Sequence, residues 1–258
     1  MRLDKLFSTL GPVIAMAMAS GVSGCDGSKF TFAGKEGVPL SELDLSAATP
    51  TKINLAGPDV VRIAEGADFA IALEGDSDAK ERMRFLLEDG TLSILRDHAN
   101  WGAGDGKVAT VSITMPPPRK LVLAGSGEIH SDTLASDAEI VVAGSGKVFT
   151  PAVKVASLDV NLAGSGSYRA SGNAERLELS IAGSGDANME DLNVERAKIK
   201  LAGAGDAVLA SDGAVDVRIM GSGNVTVRGS ARCTLKSFGS GAVNCERGTT
   251  ATDRDAFG

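Results

Sequence analysis

The chain carries short runs in which apolar and polar residues alternate, and each run leads into a glycine. In one of them Leu158, Val160 and Leu162 are separated by single polar residues and precede Gly164. Alternation with a period of two is typical of a β-strand that buries one face. A second run follows the glycine, with apolar residues four and six positions after it. Each unit therefore predicts a strand, a sharp corner and another strand.

The corner is a Gly-Ser-Gly motif that recurs every 18–20 residues. The motif, or its one Gly-Ala-Gly variant, begins at Gly125, Gly144, Gly164, Gly183, Gly203, Gly221 and Gly239. A unit of this length cannot close a core alone, but stacked on like units it buries a continuous apolar column. The repeat predicts an all-β fold, a parallel β-helix with about 18–20 residues per rung. We expect it to be right-handed, from the general handedness of parallel crossovers.

Residues 50–118 lack the Gly-Ser-Gly motif but show the same alternation. Apolar residues in the segment 53–63 occupy the relative positions of the repeat, which indicates a degenerate rung. Asp89-Gly90, between two apolar runs, predicts a β-hairpin with a two-residue turn. We therefore predict a less regular N-terminal β region at 50–118, followed by the Gly-Ser-Gly β-helix at 119–246.

The N-terminus predicts export. Basic residues are followed by an apolar stretch that ends in Val22-Ser23-Gly24-Cys25. This tetrapeptide resembles the lipobox of bacterial lipoproteins, in which the cysteine is acylated after cleavage. The resemblance implies a signal peptide at 1–24 and lipidation of Cys25, which would anchor the chain to a bacterial membrane facing the periplasm or the cell surface. The alternative is an ordinary signal peptide, cut after Ala17 or Ala19.

The segments that flank the β regions lack a clear pattern. Residues 25–49 contain Gly, Ser and Asp with weak periodicity, and we interpret them as a tether between the membrane and the body. Residues 247–258 are polar, and we expect them to form a disordered tail.

Composition and charge argue against several classes of function. The formal net charge is -7 and the sequence has no basic block, which argues against nucleic acid as a partner. The two histidines, His98 and His130, have no partner at metal-ligand spacing, and we predict neither a metal site nor a cofactor. Asp186 and Asp206 occupy the same slot on adjacent rungs. They could bind a cation or act as an acid–base pair, or they could be solvated surface carboxylates.

Cys233 and Cys245 lie six residues before and six residues after Gly239. Both positions face inward on the other rungs. In an oxidising compartment a disulfide across the last rung is the favoured interpretation, and two buried free thiols are the alternative.

A column of outward positions, three residues before each motif, becomes basic at its C-terminal end. Its last three members are Lys200, Arg218 and Lys236. We name them the face A stripe, where face A is the side of the predicted solenoid formed by the strands that precede the motif. Such a stripe could bind an anionic envelope polymer or an acidic partner through charge. Alternatively, neighbouring acids such as Asp216 neutralise it.

Several of these segments together resemble one known family. They are the strands Val61-Arg62-Ile63 and Leu92-Ser93-Ile94, the segment from Pro118 to Gly127, and the Ala-Gly-Ser-Gly series. Over residues 50–245 the chain resembles the putative auto-transporter adhesin, head GIN domain family. The resemblance implies a right-handed β-helix of the bacterial cell envelope and supplies no catalytic residues.

The sequence therefore predicts a protein that is not an enzyme. We expect an envelope lipoprotein that acts as an adhesin or as a binding or scaffold module, presenting the faces of its solenoid to a polymer or protein partner. The alternative is a polysaccharide lyase or hydrolase on the same scaffold, which needs a groove with convergent carboxylates or basic residues. With one Trp, one Tyr and eight Phe, the composition argues against a cleft that stacks sugars.

Overall fold

A computed structural model describes residues 31–32, 35–46, 48–97, 107–247 and 249–252. The predicted signal peptide, the predicted lipidation site Cys25 and His98 lie outside the described residues.

Most of the described chain is β-structure. The N-terminal strands are β1 (Thr31–Phe32), β2 (Lys35–Glu36), β3 (Lys52–Ala56), β4 (Val60–Glu65), β5 (Ala70–Gly75), β6 (Met83–Glu88), β7 (Thr91–Arg96) and β8 (Ala109–Met115). The repeat region contains β9 (Lys120–Gly125), β10 (Glu128–Ser131), β11 (Asp137–Gly144), β12 (Lys147–Gly164), β13 (Ser167–Gly183), β14 (Asp186–Gly203), β15 (Ala207–Ala210), β16 (Ala214–Gly221), β17 (Val225–Arg228), β18 (Arg232–Gly239), β19 (Val243–Cys245) and β20 (Thr249–Thr252).

Helices are short and few in the described residues. A single 3-10 turn spans Leu40–Glu42, and helix α1 spans Ser77–Glu81. In this part of the chain, no helix has the length and hydropathy that a bilayer span requires.

The strands stack in parallel, one rung on the next. Segments before the glycine motif form one sheet face, face A, and segments after it form another, face B. The corners keep a constant register, because Gly144 pairs with Gly164 and Gly164 pairs with Gly183. The long strands β12, β13 and β14 continue from face B of one rung into face A of the next. The predicted all-β parallel β-helix is confirmed.

The core lies inside this stack and consists of the inward side chains of both faces. Leu158, Val160 and Leu162 are each at most 2% exposed, as the alternation predicted. Each side chain of this size contributes about 1.5–3 kcal/mol when it is removed from water. The stacked rungs therefore share one continuous apolar column.

Both glycines of the motif are required, for different reasons. Gly164 has φ 110°, and a Cβ there would lie 2.6 Å from the carbonyl oxygen of Gly144. Gly166 is buried, and a Cβ there would lie 2.6 Å from Cγ1 of Val142 in the core. Ser165, between them, is exposed. The middle position is therefore the one that varies, which explains why Ala204 is accepted in the variant motif.

The N-terminal rungs do not follow the order of the sequence. The predicted degenerate rung is confirmed as β3 and β4, and it pairs in parallel with β9 and β10 on one side. On its other side it pairs in parallel with β7 and β8. The first rung of the chain is therefore second in space, enclosed between strands that come later in the sequence.

Antiparallel strands cover the N-terminal end of the stack. Strand β6 pairs with β7 through a two-residue turn, in which Asp89 has φ 48° and Gly90 has φ 67°, so the predicted hairpin is confirmed. Strand β5 pairs antiparallel with β8. Together with α1, these strands form a cap over strand edges that would otherwise be open to another chain.

The predicted tether is wrong for part of residues 25–49. Val38 forms an antiparallel bridge with Phe85 in β6, and Leu40 and Leu43 pack against the core. The segment binds there because the outer edge of β6 has backbone groups that need partners.

The predicted disordered tail is wrong for Thr249–Thr252. This segment is β20, which pairs in parallel with β18, Arg232 opposite Thr249. The outer edge of β18 is unpaired without it, and a run of β-branched threonines suits a strand.

Candidate functional site

A groove with a volume of about 740 Å³ runs along face B, parallel to the axis of the stack. It crosses β8, β4, β10, β12, β13 and β14, in that spatial order. One outward side chain from each strand lies in the same register position. This face B column consists of Ser112, Arg62, His130, Phe149, Arg169 and Asn188.

Two rings stack at the centre of the column. The ring centroids of His130 and Phe149 are 4.7 Å apart, with an interplanar angle of 18°. The guanidinium carbon of Arg169 lies 5.9 Å from the centroid of Phe149, within the range of a cation–π contact. Arg62 is the register partner of His130 on the opposite side. We name these four side chains the ring–arginine ladder, a flat stack of two rings with a cation at each end.

Two acidic side chains at the groove, Glu128 and Glu190, have basic partners other than the two arginines of the ladder, and Asp132 and Asp191 also line the groove. Glu128 lies 3.3 Å from the Nε2 atom of His130 and 3.7 Å from the Nζ atom of Lys147. Glu190 lies 2.9 Å from a guanidinium nitrogen of Arg228. Part of the negative charge at the rim is therefore compensated by basic groups other than the two arginines of the ladder.

The floor of the groove is closed. Ile63, Ile113 and Ala170 line the groove but are at most 3% exposed, so they belong to the core. Beneath the ladder, Thr150 and Tyr168 share a hydrogen bond of 2.7 Å between their hydroxyl groups. Burial raises the pKa of Tyr168 far above its usual value, so the phenol remains neutral. A ligand would therefore lie on the groove and not enter the core.

The face A stripe has the predicted register but is partly neutralised. Lys200 pairs with Arg218, and Arg218 with Lys236, on adjacent strands. The Nζ atom of Lys200 lies 2.7 Å from Glu178, and the side chain is only 19% exposed. Arg218 and Lys236 are exposed. Glu178, one rung earlier, is thus the acid that compensates the stripe at Lys200. A binding role for the stripe stays a prediction.

Face A also carries three carboxylates on consecutive strands. Glu139 pairs with Asp159, and Asp159 with Glu178. Burial, together with the charges of Glu178 and Glu139, raises the pKa of Asp159. The hydrogen bond from Lys200 holds the pKa of Glu178 below its usual value. The charged form of Asp159 is therefore disfavoured by burial and by repulsion from the carboxylates on both sides.

Asp186 and Asp206 stack on adjacent rungs, as the sequence predicted. Asp186 accepts a hydrogen bond from the backbone N–H of Asp206 at 3.1 Å, and Asp206 accepts one from the N–H of Asn224 at 2.8 Å. Each carboxylate thus bonds the backbone of the next rung, which is a structural role. In the described residues, no group of three or more His, Cys, Asp or Glu side chains is arranged to hold a metal ion.

The predicted disulfide is confirmed. Cys233 in β18 and Cys245 in β19 are bonded, and their Cα atoms are 6.7 Å apart. Cys233 is buried in the core, so the bond crosses the interior of the last rung from face A to face B.

Sequence reasoning missed the groove. The argument from scarce aromatics does not hold locally, because one of the eight phenylalanines, Phe149, stacks on the ring of His130 in one column. The signal was available in the spacing, since Arg62, His130, Phe149 and Arg169 all lie five residues after the first glycine of a motif or its equivalent. The same column rule that identifies the face A stripe therefore places the four side chains of the ladder together.

Solved structures of other proteins share this fold. A putative adhesin from Bacteroides fragilis is 18% identical, with a TM-score of 0.69 over 76% of this chain and 92% of that one. A putative lipid binding protein from Parabacteroides distasonis is 20% identical, with a TM-score of 0.61 and the same coverage. A putative adhesin from the same species is 19% identical, with a TM-score of 0.59 over 77% of this chain and 93% of that one. At these identities the likeness concerns the fold alone.

No curated protein matches the sequence. The family model described as putative auto-transporter adhesin, head GIN domain, matches residues 49–231, which include the degenerate rung, the cap and most of the repeat region. The sequence had already suggested this family through its glycine series and N-terminal strands. The chain belongs to the putative auto-transporter adhesin, head GIN domain family.

Proposed function

We propose that the chain is a non-catalytic binding module of the bacterial cell envelope, and that the groove on face B holds its ligand. The observation that carries the proposal is the ring–arginine ladder. Stacked rings and guanidiniums offer both flat apolar area and charge, and such side chains are enriched where proteins bind their partners. The adhesin family to which the chain belongs points to the same compartment and the same kind of role.

The shape of the groove favours an extended ligand. Strands in a sheet are about 4.8 Å apart, so the six strands of the groove span about 24 Å along the axis. The groove is shallow because the core closes its floor. A polymer lying along the axis would meet a new side chain of the face B column at every rung, which suits a repeating molecule better than a compact one.

An enzyme on the same scaffold has less support. The groove does bring arginines and carboxylates together, as the alternative prediction required. Three carboxylates line the groove, and Asp132 lies three strands, about 14 Å along the sheet, from the adjacent residues Glu190 and Asp191. Carboxyl pairs that cleave glycosidic bonds are separated by about 5–9.5 Å. Glu190 is also engaged by Arg228. The arrangement therefore favours binding over cleavage.

We further propose that the module is held at a membrane by acylation of Cys25, as the sequence at Val22-Ser23-Gly24-Cys25 indicates. In the host bacterium, Cys25→Ala should shift the chain from the membrane fraction to the soluble fraction or to the unprocessed precursor. Normal processing with unchanged membrane association would contradict the anchor and leave the groove proposal untouched.

Retention on isolated cell envelopes tests the groove. The full chain, carrying Cys25→Ser so that it is not acylated, would be incubated with envelope fragments and recovered by centrifugation. The variant Phe149→Ala/Arg169→Ala should lose most of the retention, because it removes a ring and a cation of the ladder. The matched control on the other face is Lys200→Ser/Arg218→Ser/Lys236→Ser, which should be retained like the parent.

The opposite result would overturn the proposal. If the face A variant is lost and the groove variant is retained, the stripe is the binding surface. The same preparations should release neither reducing ends nor unsaturated sugars from envelope glycans. Release of either product by the parent, and not by the groove variant, would show that the groove is catalytic.

A further inference from the structure

We infer that the ligand of the groove is an acidic glycan, a polysaccharide that carries carboxylate groups. This inference rests on the proposed function and adds to it the chemical class of the ligand. It follows from three properties of the groove: unpaired guanidiniums, stacked rings between them, and a rim of hydroxyl and amide groups.

Charge is the first property. The protein is acidic overall, yet both ends of the ladder are arginines that are exposed to solvent. Among the described residues, neither Arg62 nor Arg169 forms an ion pair, whereas Glu128 and Glu190 pair with Lys147 and Arg228. Asp132 and Asp191 also line the groove, two and three residues past His130 and Asn188 of the face B column. A guanidinium binds a carboxylate through two parallel hydrogen bonds, a geometry that adds specificity to the charge. The two arginines are therefore available for an anionic ligand.

The rings are the second property. His130 and Phe149 present a flat, half-buried apolar surface between the two charges. The C–H face of a sugar ring can pack on such a surface, because aromatic side chains combine large contact area with few rotatable bonds. A ligand recognised by charge alone would have no use for the ring pair.

The rim is the third property. Ser112, Thr114 and Asn188 line the groove with hydroxyl and amide groups. Such groups both donate and accept hydrogen bonds, and so do the hydroxyls of a sugar. A polymer of sugars would therefore find partners along the whole groove and not only at its charged positions.

Two other classes of ligand fit the groove less well. A lipid needs an apolar cavity for its acyl chains, but the floor is closed by Ile63, Ile113 and Ala170. An extended peptide binds a sheet by adding a strand to its edge. The groove lies on the face of a sheet whose strands are already paired on both sides, so it offers no edge. The glycan is the class that uses all three properties.

The probe is polygalacturonate, a carboxylated polymer, and its fully methyl-esterified form is the neutral control. Binding would be measured by titration calorimetry with the full chain carrying Cys25→Ser. We expect the parent to bind the acid form and to discriminate against the ester. Arg62→Gln and Arg169→Gln should each weaken binding of the acid form about ten-fold, equivalent to about 1.4 kcal/mol, and should reduce the discrimination.

Matched variants separate the contribution of the ring to binding from that of the arginines. Phe149→Ala should weaken binding of both polymers, because it removes stacking area and no charge. Arg218→Gln, an exposed arginine on face A, and Phe238→Ala, a phenylalanine that is 52% exposed on the last rung, should bind like the parent. Circular dichroism and the thermal midpoint would verify that each variant is folded, as expected for side chains on the outer faces.

Each contrary outcome has a separate meaning. Equal binding of both polymers, lost only in Phe149→Ala, would refute the acidic ligand and keep the groove. Binding of the acid form that no groove variant weakens would refute the groove itself. No binding of either polymer would refute the inference, and envelope retention would still decide the proposed function. Binding to phosphatidylglycerol vesicles in place of the polymer, lost in Arg62→Gln, would identify a lipid headgroup as the ligand.

Discussion

The corner between faces A and B is closed in two ways, one in the repeat region and one in the N-terminal region. In the repeats most corners are Gly-Ser-Gly resting on another Gly-Ser-Gly through backbone contacts, such as the N–H of Ser165 donating to the carbonyl of Gly144 at 2.9 Å. In the degenerate rung the corner is Gly57-Pro58-Asp59, and Asp59 is fully buried. Its carboxylate binds the guanidinium of Arg96, with 3.0 Å from Nε to Oδ2, and the N–H of Ala109 at 2.8 Å.

The neighbouring rung explains this difference. The degenerate rung pairs with β7 and β8, and twelve residues separate these two strands between Arg96 and Ala109, whereas only two separate β9 from β10 at the first Gly-Ser-Gly corner. The ends of this longer segment must therefore be held in another way. A buried carboxylate holds both of its ends, with Arg96 also donating to the carbonyl of Lys107 at 3.1 Å. A stack of identical rungs can thus be held by backbone fit, whereas an irregular rung needs a side-chain anchor.

The largest expected effect comes from breaking that anchor. Asp59→Ala leaves a buried guanidinium without its partner, and we expect it to lower the free energy of unfolding by about 4 kcal/mol. Urea unfolding would measure the change. Asp59→Ala/Arg96→Leu, which removes both charges, should recover only part of the loss, because the N–H of Ala109 and the carbonyl of Lys107 lose their partners too. A loss below about 1 kcal/mol in Asp59→Ala would show that the N-terminal corner does not depend on the pair.

A nearly equal effect is expected at a glycine corner. Gly164→Val forces a β-branched residue into positive φ and against the carbonyl of Gly144. Strain and overpacking together should cost about 3 to 4 kcal/mol. Ser165→Val, at the exposed middle of the same motif, is the control and should change stability by at most about 0.5 kcal/mol. Equal effects of the two changes would contradict backbone fit as the basis of the repeat corners.

The two ends of the stack also differ, because strands cover one end and a disulfide ties the other. Cys233→Ser/Cys245→Ser should lower stability by about 2 to 3 kcal/mol, since the bond closes a short loop. The parent measured under reducing conditions should match the double variant. Thiol labelling of the denatured, unreduced protein provides the independent test, and two labelled cysteines in exported protein would refute the bond.

The smallest expected effect concerns Asp159, a carboxylate of the repeat region that lies between two other carboxylates, Glu139 and Glu178. The raised pKa of Asp159 means that the folded chain holds this proton more tightly than the unfolded chain, so stability is lost as pH rises above the ordinary value of 3.8. Asp159→Asn should therefore stabilise the fold by about 0.5 kcal/mol at pH 7. The gain should disappear below that ordinary value, where the carboxyl is protonated in both states. Asp216→Asn, in the same column but opposite Lys198, should give no gain.

Much of this fold follows from the sequence. The spacing of the glycines fixes the register of every repeat rung, because a one-residue slip would turn each apolar run outward. The pairing of Cys233 with Cys245 follows for the same reason, since both positions face the core. Asp89-Gly90 suffices for the hairpin, because few residue pairs accept positive φ twice.

The order of the N-terminal rungs could not be read from the same pattern. The alternating runs of β3 and β7 would fit against β9 equally well, and the choice between them depends on long-range contacts such as Asp59 with Arg96. The ladder was hidden for a different reason. Outward positions carry no constraint from the core, so the spacing places His130 and Phe149 in one column but does not indicate that their rings stack.

The enclosed rung also has a consequence for the order in which the strands can pair. Synthesis proceeds from the N-terminus, so β3 and β4 are made before either of their neighbouring rungs. One side waits for β7 and β8, and the other for β9 and β10, which end at Ser131. Until about half of the polypeptide has been made, this rung has two open edges, and open edges favour aggregation. The topology thus predicts a period during synthesis in which a chaperone has the most to protect.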